Sequence, residues 1–263
     1  MQLLERLNQV GFERTRRAVA ALGLSLFVFF FLIVSLNAPP GLAPAFVALS
    51  VCYGVAFMGV AAEWFWGRWF AIGLGWSGIM LAGASLFMVG WTPILAFYGG
   101  LHGLVVLLLM GAKMAERYDL QPAWRERYGM DEFGVARLRK TVTRASASLP
   151  SVIFWALGPK EPGQGMLVTA LALTAGALAV VGLRGAVRAR TWGLAALVAS
   201  AAAMLPFAKM TAGGLGLAEA TSLSPLTSWA VGPLVLGPGL AAAFLAFAVL
   251  PFAVPVARYL RKR

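Results

Sequence analysis

Charged residues are scarce in this sequence, and its first half has almost none. Of 263 residues 12% are charged, about half the fraction expected of a soluble domain. Between residues 18 and 111 only Glu63 and Arg68 carry a charge. Residues 18–36 are an uninterrupted apolar run, and about 19 residues at 1.5 Å each nearly cross a bilayer core of roughly 30 Å. Similar runs follow, so the sequence predicts an all-α, polytopic membrane helix bundle.

Cysteine and histidine are nearly absent, and this restricts the chemistry that the chain can perform. Cys52 and His102 are the single residues of their types. With only one residue of each type, a single chain cannot form a disulfide, a bis-histidine haem, a zinc site of Cys/His type or a four-cysteine cluster. We therefore predict no cofactor and no metal, although a partner chain could complete a site.

Carboxylates are missing from the predicted spans, which lowers the expectation of ion-coupled transport. Proton- and sodium-coupled transporters place Asp or Glu inside the membrane. The sequence also contains no GxxxxGK[ST] motif, so the chain is not an ATPase by itself. A transport or channel component stays open as an alternative function.

Positive charge is in excess, with 22 Lys and Arg against 10 Asp and Glu. In a soluble protein this excess would indicate nucleic acid as a partner. In a polytopic chain the excess indicates how the chain is oriented in the membrane, because Lys and Arg collect on the cytoplasmic side beside anionic head groups. We therefore predict a bacterial cytoplasmic (inner) membrane protein, with the bilayer and anionic lipids as partners and no nucleic acid.

The distribution of polar residues divides the chain into three parts. Residues 1–112 are predicted to hold an interfacial segment and four spans, residues 113–140 a charged cytoplasmic linker, and residues 141–263 a second membrane half with a basic tail. The first four spans are predicted at residues 18–36, 42–62, 69–89 and 94–110. Pro and Gly in the intervening residues 37–41 and 90–93 indicate turns.

The number of spans depends on residues 141–158, which are only moderately apolar and contain Pro150. Hydropathy alone gives seven spans, and the Lys/Arg clusters then lie on both faces. If residues 141–158 also cross, all of the 22 Lys and Arg except Lys160 and Lys209 lie on one face. The positive-inside rule favours this arrangement. We predict eight spans with both termini cytoplasmic, and seven is the alternative.

The densest local feature is the Trp-rich turn at residues 63–70. Trp side chains typically lie at the head-group level, and Glu63 and Arg68 are expected to pair across the turn. The segment is interpreted as an interfacial anchor, or alternatively as a docking edge for lipid or a partner.

Three polar residues within apolar runs are candidate interface positions. His102, flanked by Gly100 and Gly103, is expected to form a hydrogen bond across a helix interface. Ser77 lies in Gly-Trp-Ser-Gly, which resembles the Gly-x-Ser-Gly of intramembrane serine proteases and would allow a Ser77–His102 dyad, but the rest of that pattern is absent. Lys209 has no carboxylate counter-ion and is expected to reach the far head groups. No catalytic residue is predicted.

We conclude from the sequence that the chain is a non-enzymatic membrane subunit or scaffold that binds lipid and partner proteins. The partners are expected to be other membrane proteins or further copies of the chain. A membrane-embedded enzyme is a second alternative. The residues predicted to bind anionic lipid or an acidic partner surface are Arg137, Arg139, Lys140, Arg258, Arg261, Lys262 and Arg263.

Overall fold

A computed structural model describes residues 12–158, 166–205 and 238–261. Every regular element in these ranges is an α-helix, which confirms the all-α prediction for this part of the chain. The helices are α1 (Phe12–Asn37), α2 (Ala43–Ala61), α3 (Gly67–Val89), α4 (Pro93–Leu109), α5 (Ala112–Asp119), α6 (Pro122–Tyr128), α7 (Glu132–Leu157), α8 (Met166–Val187), α9 (Thr191–Met204) and α10 (Pro238–Arg261).

The four predicted N-terminal spans correspond closely to α1–α4, because local sequence sets their ends. α1 ends at Asn37, immediately before a turn with two prolines. α4 begins at Pro93, where a missing backbone N–H is tolerated and the fixed φ suits a first helical turn. Gly90 adopts a φ of 87° between α3 and α4, a conformation that favours glycine.

Four helices are long and apolar enough to cross a membrane, namely α1, α2, residues Gly67–Phe87 of α3, and α8. A fifth span results if α4 and α5, which are bent by 73°, count as one. Helix α9 and residues Ala241–Phe252 of α10 are apolar but shorter. By length and composition the described chain therefore has four or five candidate spans, and the count of eight stays a prediction.

Helix α7 covers the predicted crossing at residues 141–158, which is not among these candidates, and it is enclosed by other helices. It packs against α2, α3, α8 and α10, and every residue from Ala145 to Ala156 is buried. A buried helix can carry polar side chains where these have hydrogen-bond partners, and the hydroxyl of Ser146 bonds within the helix to the Val142 carbonyl at 2.8 Å. Hydropathy therefore underestimates α7.

The charged segment 113–140, predicted as a linker, is packed helical structure. It forms α5, α6 and the first turns of α7, and the side chains of Met114, Tyr118 and Trp124 are buried. The predicted boundary between residues 140 and 141 falls inside α7, which continues without a break into the bundle.

Small residues set the closest helix crossings. A Cβ on Gly73 of α3 would overlap Ser146 and the Thr143 carbonyl of α7. Gly193 of α9 lies equally close to the Gly185 backbone of α8. Membrane helices approach in this way because small residues let their backbones make extensive van der Waals contact.

Candidate functional site

Arg68 and Asp119 form a buried ion pair at the end of the bundle where α3 begins. Arg68 Nη1 lies 3.1 Å from Asp119 Oδ2, and Arg68 Nε donates to the Leu109 carbonyl at 2.7 Å. Trp69 Nε1 donates to Asp119 Oδ1 at 2.7 Å, and Arg139 Nη1 lies 3.4 Å from Oδ2. The expected pairing of Arg68 with Glu63 is therefore wrong.

Glu63 is held by other arginines. Arg117 donates to Glu63 Oε1 from Nη2 at 2.6 Å and from Nε at 3.0 Å, and Arg17 pairs with the same oxygen. Glu63 has a φ of 55°, which is uncommon for a residue other than glycine. Gln121 Nε2 donates to its carbonyl at 3.0 Å. The second turn of α1, the α2–α3 turn, α5 and α7 are thus joined in one polar cap, defined by Arg17, Glu63, Arg68, Trp69, Arg117, Asp119 and Arg139.

Burial raises the pKa of two groups in α5, a short polar helix of the charged segment 113–140. It raises the pKa of the Asp119 carboxyl, while the Arg68 guanidinium, the Trp69 N–H and Arg139 favour the ionised form. Burial also raises the pKa of the Tyr118 hydroxyl to about 12, and that hydroxyl donates to the Val60 carbonyl at 2.8 Å. The Asp119 carboxylate depends on its partners, because burial would otherwise favour its neutral form.

His102 joins α4 to α2 inside the bundle. Its Nδ1 lies 2.8 Å from the Tyr98 carbonyl oxygen and its Nε2 lies 2.7 Å from Tyr53 Oη. Because a carbonyl only accepts, we assign the ring proton to Nδ1, so Nε2 accepts the Tyr53 O–H. The Phe27 ring stacks on the imidazole with centroids 3.8 Å apart. The structure thus places His102 at the helix interface expected from the sequence.

The Ser77–His102 dyad is not formed. Both ring nitrogens of His102 are occupied by other partners, as described above. Ser77 is buried in α3, but the residue that packs against the imidazole is its neighbour Gly78, where a Cβ would overlap the ring. The arrangement holds two helices together and leaves no histidine nitrogen free to act as a base for a serine.

A large groove lies between α2 and α8, with α7 as its floor. These two helices do not pack closely on each other, although both pack on α7. The groove has a volume of about 1320 Å³, above the roughly 300–1,000 Å³ usual for small-molecule sites. Its walls are largely apolar. The groove opens at the surface of the protein, since its lining residues Val51, Val55, Leu173, Val180 and Val181 are exposed. We call this the α2–α8 groove.

One end of the groove is polar and adjoins the polar cap. It is lined there by Glu63, Trp64, Trp66, Gln121 and Tyr128. Two arginines near the end of α8 also line the groove, Arg184 and Arg188. An apolar cleft with aromatic and charged groups at one end has the polarity of a bilayer leaflet.

The remaining candidates are dispersed or lie outside the described residues. Arg137 is half-buried on α7 and Lys140 is exposed beside it, whereas Arg139 is occupied by Asp119. Arg258 and Arg261 lie in α10. Lys209, Lys262 and Arg263 lie outside the described residues.

Sequence reasoning missed three features of the site. Asp119 was one of several charges in the linker, and no local pattern distinguishes it from its neighbours. The groove depends on how far α2 stands from α8, which has no sequence signature. Tyr53 did carry a signal, because tyrosine within a span is unusual away from the head-group level.

The described residues contain no group of three or more His, Cys, Asp or Glu side chains arranged to hold a metal ion. No protein-family model, curated protein or solved structure matches this chain.

Proposed function

We propose that the chain is a non-enzymatic subunit or scaffold of a bacterial cytoplasmic membrane, and that it binds lipid in the α2–α8 groove. The observation that carries the proposal is the groove itself, which is apolar, open to the outside and polar at one end. From Leu173 to Arg188 its α8 wall is about 22 Å long at 1.5 Å per residue. This length exceeds one leaflet of a hydrocarbon core of roughly 30 Å, so the groove can hold acyl chains along their length.

The orientation proposed with this function has eight crossings, formed by α1–α4 and α7–α10. The second turn of α1, the end of α2, the start of α3 and the end of α4 meet at the polar cap. Arg184 and Arg188 line the groove that adjoins the cap, which favours the same face for the turn after α8. All these basic groups would then face the cytoplasm.

The cavity beside Tyr53 does not provide a pathway for the alternative function of a transport component. It holds only about 30 Å³ and is lined by apolar and aromatic residues such as Phe31, Leu81 and Phe154. That volume is about one water molecule, whereas a transport pathway needs a continuous polar cavity near the midplane.

The proposal is tested by the lipid that stays bound during purification in mild detergent. Two substitutions, Val51→Trp and Ala177→Trp, place a large ring on each wall of the groove and should remove most of the bound lipid, as counted by mass spectrometry. The matched control, Val47→Trp with Thr174→Trp, alters exposed positions on the same helices outside the groove. Equal retention in both variants would refute binding in the groove.

The subunit part of the proposal predicts a protein partner as well. The same preparation should contain a second membrane protein or a homo-oligomer, identified by protein mass spectrometry and by the mass of the complex. A monodisperse monomer from native membranes would contradict this part.

A further inference from the structure

Arg184 and Arg188 differ from the arginines of the polar cap, because among the described residues neither has a carboxylate partner. Arg68, Arg117 and Arg139 each bind Asp119 or Glu63. Arg184 and Arg188 are exposed, line the groove, and form no ion pair within the part of the chain that the structure describes. Residues four apart share one helix face, so both guanidinium groups face the same space.

The direction of α8 brings these arginines toward the polar end of the groove. Gly176 of α8 packs on Ala156 near the end of α7, and α8 returns from there toward the cap. Arg184 is eight residues further along, about 12 Å at 1.5 Å per residue. Trp64 and Trp66 line the same groove from the α2–α3 turn, as expected for aromatic residues at the level of lipid head groups.

One acidic group also lines this end, and its charge is already matched. Glu63 Oε1 is bound by Arg117 and Arg17, so it does not neutralise the arginines of α8. Gln121 and Tyr128 add neutral polar groups. Within the described residues, the polar end therefore has two positive charges without a carboxylate partner above an apolar cleft.

We propose that the α2–α8 groove selects an anionic phospholipid, with its acyl chains between α2 and α8 and its phosphate at Arg184 and Arg188. This inference rests on the proposed function and adds the class of lipid and the residues that select it. Arginine suits this role because its planar guanidinium can donate two parallel hydrogen bonds to phosphate oxygens. A zwitterionic lipid should bind less tightly, because the two arginines repel the cationic group of its head group.

The test compares the lipids retained after reconstitution in vesicles of equimolar phosphatidylcholine and phosphatidylglycerol. Wild-type protein, extracted again in mild detergent, should retain phosphatidylglycerol in about tenfold preference over phosphatidylcholine. A factor of this size is expected when a cation of the protein lies near an anionic head group. The variant Arg184→Gln with Arg188→Gln should lose this preference and keep its total bound lipid. The control, Arg14→Gln with Arg190→Gln, removes the same charge from exposed positions that do not line the groove, and it should retain the preference.

The outcomes separate this inference from the proposed function. If the Trp variant loses lipid but the Arg184/Arg188 variant keeps its preference, the groove binds lipid and the assignment of the phosphate is wrong. An equal loss in the control variant would mean that overall charge selects the lipid, which also overturns the assignment. Wild-type protein without bound lipid would refute both proposals and indicate a protein segment in the groove.

Discussion

Arg68 and Asp119 lie 51 positions apart in the chain and form an ion pair whose side chains are 7% and 4% exposed. The pair connects the first turn of α3 to the last residue of α5. It therefore fixes the charged segment 113–140 against the membrane bundle. Trp69 and Arg139 bind the same carboxylate, so three helices converge on one side chain.

Replacing Asp119 should destabilise the protein strongly. Asp119→Asn keeps the shape of the side chain but leaves Arg68 as a buried charge without a counter-ion, which costs about 3–5 kcal/mol. Thermal unfolding in detergent measures the effect. The control Glu126→Gln removes an exposed carboxylate of α6 and should change stability by no more than about 0.5 kcal/mol.

A double replacement distinguishes a charge effect from a packing effect. Arg68→Met with Asp119→Leu removes both charges and should recover much of the stability lost in either single variant, because apolar residues can replace a buried ion pair at little cost. A double variant less stable than both single variants would show that the cap depends on the hydrogen bonds and not on charge balance.

The hydrogen bond between Tyr53 and His102 should contribute modestly, in the range measured for membrane proteins. Tyr53→Phe and His102→Gln are each expected to cost about 1 kcal/mol or less. Because both remove one shared interaction, the double variant should cost less than the sum of the two. Strict additivity would show that the two groups are not coupled. Stoichiometric metal in the purified protein that is lost in His102→Gln would contradict the structural role of His102.

The close crossing of α3 and α7 predicts a contrast between two glycines of the same helix. Gly73→Ala places a methyl group against Ser146 and the Thr143 carbonyl and should cost about 1–3 kcal/mol through overpacking. A methyl group on Gly83 would meet no atom of a neighbouring helix within 4 Å among the described residues. Gly83→Ala should therefore be neutral or stabilise α3 by up to about 1 kcal/mol. Equal melting temperatures for the two variants would contradict the packing of α3 on α7.

The helices that could be predicted are those whose limits are encoded locally. The turn at Asn37 and the start of α4 at Pro93 follow from the conformational limits of proline and glycine. What could not be predicted depends on tertiary structure. The partner of Arg68 is set by how α5 folds back, whereas closeness in the sequence indicated Glu63.

Helix α7 shows a second limit of sequence reasoning. Hydropathy measures suitability for lipid, whereas a polar side chain buried among protein helices is tolerated where it has a hydrogen-bond partner. Thr141 bonds to the Ala248 carbonyl and Arg144 to the Phe247 carbonyl of α10, so polar groups within α7 have protein partners. Arg144 therefore does not need to reach the head groups, as a crossing helix in lipid would require.

The proposed topology makes the most direct prediction for experiment. With Cys52 replaced by Ser, single cysteines introduced at Arg14, Arg127 and Arg190 should all react with a membrane-impermeant thiol reagent only from the cytoplasmic side. A cysteine at Trp91, in the turn between α3 and α4, should react only from the opposite side. The four positions lie in exposed parts of the described chain.

Position 190 decides between eight and seven crossings, because with seven crossings it lies on the same side as position 91. Labelling of position 190 from that side would exclude eight crossings, whereas labelling together with positions 14 and 127 would make α7 a crossing helix.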